Sequence, residues 1–204
     1  MKSITLVIAL TTAVFAFSQN RNYIVNINYS GSMYEDVRAT YNAFSFSPGV
    51  EYKNGFSFNL GIGYFKTKSE SFGTNNYRKM TGIQSSITAS KRILQNETVL
   101  SPLASVTIGS TLFNYDHGCF SNMGEIECDK SLLSEDPGVD KFRFFAKVKF
   151  MFDFQFSNFS LRFGPTYTFQ EGRMANNPKE RSNSQILDGY GLEGAIIFSL
   201  KRQK

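Results

Sequence analysis

Cys119 and Cys128 share one polar stretch with Asp116, His117, Glu125, Glu127 and Asp129, residue types that can bind metals, form disulfides or activate nucleophiles. A structural zinc site needs closely spaced thiolates or paired imidazoles, and this stretch has one histidine and two cysteines far apart in sequence. No metal site is expected. In an exported chain with only two cysteines the default chemistry is a disulfide, and Cys119–Cys128 is the expected bond. On the chain-entropy account, closing a loop of that size stabilises by about 2.5–3 kcal/mol, mostly by restraining the loop itself. His117 is the only histidine, and a serine hydrolase would need it beside a serine it can deprotonate. It stands next to Gly118 in a loop-like context with Ser110 and Ser121 as chance neighbours, so no catalytic residue is assigned.

A second set of reactive groups lies within alternating segments. From Lys141 to Phe156 every even position is apolar: Phe142, Phe144, Ala146, Val148, Phe150, Phe152, Phe154 and Phe156. Arg143, Lys147, Lys149, Asp153 and Gln155 occupy odd positions, so a two-residue period sets an aromatic face against a charged one. By the same parity Glu51, Lys147, Lys149, Asp153, Arg162 and Glu193 share an inner face, where unpaired charge is costly, and a mutually paired network is expected. Gly61-Ile62-Gly63 and Gly189-Tyr190-Gly191 lie inside such segments with no helix to follow, so they read as space for bulky neighbours and not as phosphate cradles. No cofactor is expected.

The elements that position these groups begin after the leader. Residues 4–17 form the only long apolar run, preceded by Lys2 and followed by Ala16-Phe17-Ser18, so residues 1–18 read as a signal peptide and 19–204 as one domain. The run falls short of the roughly 20 residues that a spanning helix requires. Twenty-two Lys and Arg against 17 Asp and Glu give a net charge of +5, but the cations are scattered singly through alternating strands, which argues against nucleic acid. Lys201-Arg202-Gln203-Lys204 reads as a solvated tail. The 21 Phe and 10 Tyr, with no Trp, suit a lipid-facing surface.

Eight alternating segments are expected, near residues 22–29, 43–52, 56–66, 77–93, 98–112, 141–156, 159–170 and 185–200. Short turns at Lys53-Asn54-Gly55, Gln95-Asn96-Glu97 and Ser157-Asn158 alternate with long loops over 30–42, 67–76, 113–140 and 171–184. That asymmetry predicts an all-β, eight-stranded antiparallel up-and-down transmembrane barrel with both termini at the short-turn end. Phe44, Phe46, Val50 and Tyr52 should face outward on the second strand, with Pro48 marking a bulge or a break in pairing. The inner face, rich in Gly, Ser, Thr and Asn and filled by Phe65, Phe145 and Met151, should leave no open channel.

With its leader, strand number, loop asymmetry and Phe-rich closing strands, the chain resembles the small outer-membrane β-barrels of Gram-negative bacteria. The resemblance is to the PorT-like group, and more distantly to OmpX and the membrane domain of OmpA. It covers nearly all of the mature chain and implies residence in the cell outer membrane, outer-membrane lipid as a partner, a monomer, and a structural or surface-interaction role through extracellular loops. The alternatives are a lipid-modifying outer-membrane enzyme and a secreted soluble barrel that binds an apolar ligand. The soluble barrel would reverse the faces, with the Phe stripes inside.

Overall fold

The structure, a computed structural model, describes residues 21–34, 39–70, 76–94, 100–122, 125–129, 138–157, 159–175 and 184–200. The expected leader, residues 1–18, and the basic stretch 201–204 lie outside these residues. Among the described residues nine strands follow in order: β1 (Arg21–Tyr34), β2 (Ala39–Tyr52), β3 (Phe56–Glu70), β4 (Asn76–Arg92), β5 (Leu100–Asn122), β6 (Glu125–Asp129), β7 (Gly138–Gln155), β8 (Phe159–Ala175) and β9 (Ser184–Leu200). Every sequential barrel pair is antiparallel, β4 pairs with β5, and β1 pairs with β9, so β1–β5 and β7–β9 close an eight-stranded barrel. β6 stands outside this circuit and, among the described residues, pairs with the far end of β5.

The register gives the stagger directly. Stepping across partners from Tyr23 leads through Val50, Phe58, Ala89, Val106, Val148, Tyr167 and Tyr190 and returns to β1 at Met33, well beyond the start. A closed sheet with such a stagger must tilt its strands by roughly 35–45° to the barrel axis, and eight strands then enclose a space that side chains fill.

At the short-turn end, Gly55 adopts φ 76°, its N–H donates to the Tyr52 carbonyl at 2.9 Å, and the Asn54 Oδ1 accepts from the Phe56 N–H at 3.0 Å. An L side chain at this φ would be strained, which is why Asn-Gly makes the turn. Pro48 interrupts the β2–β3 ladder between Phe46↔Ile62 and Gly49↔Asn59 without adding a residue to either strand, because proline lacks the donor and no bulge is needed. Val50 keeps the outward parity of its strand yet is buried.

Strand extends into each of the four expected long loops. β1 runs to Tyr34 and β2 starts at Ala39; β3 runs to Glu70 and β4 starts at Asn76; β8 runs to Ala175 and β9 starts at Ser184. The 113–140 stretch contains the rest of β5, all of β6 and the start of β7. The alternation of apolar residues ends where the outward face turns polar, but backbone hydrogen bonding does not depend on side-chain polarity and the ladders continue. Bulges accompany this extension: Ile83 pairs with Phe113 and Gln84 with Thr111, so Leu112 is the extra residue and both Leu112 and Phe113 end up exposed. β7 shifts register twice against β8, between Val139 and Lys141 and between Phe142 and Phe145.

Candidate functional site

Apart from Val50 and the bulge at Leu112, the described surface divides by parity. Phe44, Phe46, Ile62, Tyr64, Val106, Ile108, Phe150 and Phe163 are exposed on the outside, with Phe150 at 44%, while Lys149 is 7% exposed and Asp153 is fully covered inside. A soluble barrel would have the opposite arrangement. Neighbouring outer aromatics pack on one another: Phe154 stacks on Phe163 at 5.4 Å, Phe156 on Phe159 at 4.7 Å, and Tyr167 on Tyr190 at 6.4 Å between centroids.

Inside, three levels follow from the short-turn end. At the lowest, Ile24, Ala195 and Ile197 form an apolar cluster. Beside the turn end, Arg92 binds Glu51 Oε1 through Nη1 at 2.8 Å and Asp153 Oδ2 through Nη2 and Nε, both at 2.8 Å. Arg162 donates from Nε to Asp153 Oδ1 at 3.1 Å, and its Nη2 stands 3.9 Å from Glu51 Oε1. Asp153 is thus held between two guanidinium groups, the compensation a fully buried carboxylate requires.

At the middle level Lys149 Nζ meets Glu193 Oε1 at 2.5 Å, and Lys147 Nζ donates to the Ser30 hydroxyl at 3.0 Å. Among the described residues Lys147 forms no ion pair. Its ammonium lies 5.4 Å from the Tyr41 ring centre and 5.6 Å from that of Phe145. Ring faces at such a separation attract a cation. Four described lumen cations, Arg92, Lys147, Lys149 and Arg162, thus face three carboxylates, Glu51, Asp153 and Glu193. A polar cavity of about 20 Å³ touches Asn26, Asn59, Lys149 and Glu193. That is room on the scale of a single water. Among the described residues Asn26 Oδ1 and both amide atoms of Asn59 have no hydrogen-bond partner, so water is the fitting occupant.

The upper level is an aromatic plug of Tyr34, Tyr41, Phe65, Met80 and Leu187 with Ala39 and Ala43. Tyr41 stacks on Phe65 at 5.4 Å, meets Tyr34 edge-on at 6.2 Å, and donates its hydroxyl to Gln84 Oε1. The large rings fit because the facing positions lack side chains. A Cβ on Gly82 would fall 2.6 Å from Phe65 Cε1, and one on Gly189 would fall 2.8 Å from Tyr34 Cδ1.

All six inner charges named from sequence therefore lie in the lumen, five of them joined in ion pairs and Lys147 apart from them. Arg92, which joins Glu51 to Asp153, was not among them; the parity of Ile83, Ile87 and Ala89 on the same strand carried the signal, since even positions of β4 face inward. Cys119 and Cys128 occupy directly opposed positions on β5 and β6. His117 lies on the same extended β5 strand as Ser110 and Ser121. At a strand's rise per residue, even Ser121 stands roughly 13 Å from it along the chain, too far for a nucleophile and its base.

The geometry defines a closed antiparallel barrel with an apolar outside and a charged, filled lumen. No protein-family model matches the chain, and no curated protein does. Among solved structures it is similar to Neisserial surface protein A, with a TM-score of 0.48 and 10% identity over 88% of this chain and 97% of that one. It is also similar to the N-terminal β-barrel domain of Pseudomonas aeruginosa OprF, with a TM-score of 0.40 and 13% identity over 86% of this chain and 97% of that one. The attachment invasion locus protein Ail of Yersinia pestis gives a TM-score of 0.40 and 12% identity over 87% of this chain and 97% of that one.

Proposed function

We propose that the chain is a monomeric barrel of the bacterial outer membrane, of the small-barrel class that includes the PorT-like group. It is not an enzyme; it serves a structural or surface-interaction role through the strand extensions and connections at its long-connection end. The observation that carries this reading is the inversion of faces: Phe44, Phe46, Phe150 and Phe163 are exposed while Lys147, Lys149, Asp153 and Arg162 are buried. Water would penalise so much continuous apolar surface, whereas hydrocarbon favours it and requires the strand edges to be closed, as they are here. The shortest barrel strands have 14 residues. All therefore exceed the roughly 9–11 residues needed to cross a bilayer, and the surplus supports a projecting rim.

Membrane fractionation of the exported protein tests this. The chain should stay with outer-membrane lipid after carbonate and urea washing; release into the soluble fraction without detergent would replace this reading with a soluble barrel.

A further inference from the structure

The middle level of the lumen carries more positive charge than its side chains balance. Lys147 and Lys149 are both buried there, and Glu193, the carboxylate of that level, lies 2.5 Å from Lys149 Nζ. The cluster below is balanced within itself, the guanidinium groups of Arg92 and Arg162 against the carboxylates of Glu51 and Asp153. Among the described residues the excess charge therefore falls at Lys147, whose ammonium has the Ser30 hydroxyl at 3.0 Å and no ion pair. A buried cation left in that state is costly.

The wall beside it holds hydrogen-bonding capacity that the protein does not use. Lys147 faces Thr168 across the β7–β8 ladder and Lys149 faces Thr166. From Thr166 the same row leads through Gly191, which contributes no side chain, to Ser32 on β1. The Lys147 side chain spans the lumen from β7 to Ser30 on β1, so Thr166 and Thr168 lie on the wall between its two ends. Ser32, Thr166 and Thr168 are each more than nine-tenths buried, and among the described residues their hydroxyls have no hydrogen-bond partner. Three idle hydroxyls beside an uncompensated ammonium call for an ion or a water.

We infer that this arc of the lumen binds one chloride ion, held by the Lys147 ammonium and by O–H groups donated from Thr166, Thr168 and Ser32. Hydrogen bonds to an anion are charge-assisted, and a single negative charge brings the four lumen cations and three carboxylates to neutrality. A water would serve the hydroxyls but leave the charge uncompensated. A phosphate or carboxylate ligand would have to pass the Tyr34, Tyr41 and Phe65 rings above or the ion-paired cluster below, so a monatomic anion enclosed as the barrel closes is the occupant that fits. The site depends on the lumen alone and stands whatever medium surrounds the barrel.

The test is urea titration of the exported protein refolded in vesicles, with chloride exchanged for methanesulfonate at constant ionic strength. An anion bound only by the folded barrel raises the folding equilibrium constant about tenfold for each tenfold rise in chloride above its dissociation constant. Wild-type protein should show that dependence, and so should Lys66→Gln, which removes an exposed cation. Lys147→Met should lose it, and Thr168→Val should need about tenfold more chloride for the same effect, the worth of one hydrogen bond to a charged group. In crystals of wild-type protein grown with bromide, the anomalous peak should fall within hydrogen-bonding distance of Lys147 Nζ and Thr168 Oγ1. A folding constant indifferent to chloride, an undiminished dependence in Lys147→Met, or bromide peaks confined to the surface overturns the site. Should Lys147→Met fail to fold, the bromide map of the wild-type protein decides.

Discussion

Phe145 faces Gly109 across the β5–β7 ladder, and its ring occupies the space a side chain on Gly109 would need. A Cβ there would also press within 2.5 Å of the Ser85 carbonyl, so neither the ring nor the backbone can yield without cost. Gly109→Ala should therefore destabilise the barrel by about 1–3 kcal/mol, the usual range for overpacking. Denaturant titration of protein refolded in vesicles would measure it. In a double-mutant cycle, Phe145→Leu should relieve the ring's share of the clash and give a coupling of at least about 0.5 kcal/mol. Strict additivity would mean that the ring is not held over Gly109.

The Lys149–Glu193 pair gives a second prediction, because both partners are buried beneath the aromatic plug. Removing one partner leaves an uncompensated buried charge, and Lys149→Met alone should cost about 3–5 kcal/mol. Lys149→Met with Glu193→Leu removes both charges and should recover most of that loss. A double variant no more stable than the single one would show that Lys149 is held mainly by other groups.

The period-two pattern made the barrel legible, because each strand's outward residues meet a different medium from its inward ones. Phe150 against Lys149, or Ile62 against Gly61, could be assigned from sequence for that reason. Strand ends were not legible in the same way: past Tyr64, Lys66 and Lys68 are outward but polar, so the strand continues after its hydrophobic signal has stopped. The bulge at Leu112 is invisible for a related reason, since it makes two consecutive apolar residues face outward and breaks the period that reveals strands. Arg92 was readable by parity but lies on the strand whose outer face is least apolar, and its two acidic partners come from strands distant in sequence.

The register sets Cys119 opposite Cys128, so the two cysteines should be joined in the exported protein. Alkylation before and after reduction distinguishes the states; free thiols in protein prepared without reductant would disprove the bond. The hairpin lies beyond the β5–β7 pairing, which runs from Leu100↔Phe154 to Ser110↔Phe144. Deleting residues 118–139 should consequently leave heat-modifiable gel migration intact, whereas loss of the compact form would mean that β6 or the adjoining ends of β5 and β7 are needed to close the barrel.

Phe150 lies on the outside of β7, in the half nearer the short turn, next to Phe152 at 5.6 Å, with Lys149 on the opposite face. Arg at Phe150 should cost about 2–4 kcal/mol if the position is near the bilayer midplane. Stability alone does not report the medium, since a soluble core would also reject arginine. A single cysteine at Phe150 should react with a lipid-phase probe and resist a water-soluble one. The reverse pattern would remove hydrocarbon as the solvent of this face.

Conduction is the last expectation, and the three lumen levels bear on it together. The Arg92–Glu51–Asp153–Arg162 cluster, the Lys149–Glu193 pair and the plug of Tyr34, Tyr41 and Phe65 succeed one another along the axis. A hydrated ion entering would have to break a buried ion pair and displace stacked rings, and the polar cavity beside Lys149 and Glu193 has room for little more than one water. Refolded protein in planar bilayers should therefore give no steady current. Removing the Tyr41, Phe65 and Phe145 rings together should leave the barrel closed by the ion-paired levels beneath. Stable channels in the wild-type protein would show that these levels open, and would make transport through the lumen, in place of contacts at the rim, the function to explain.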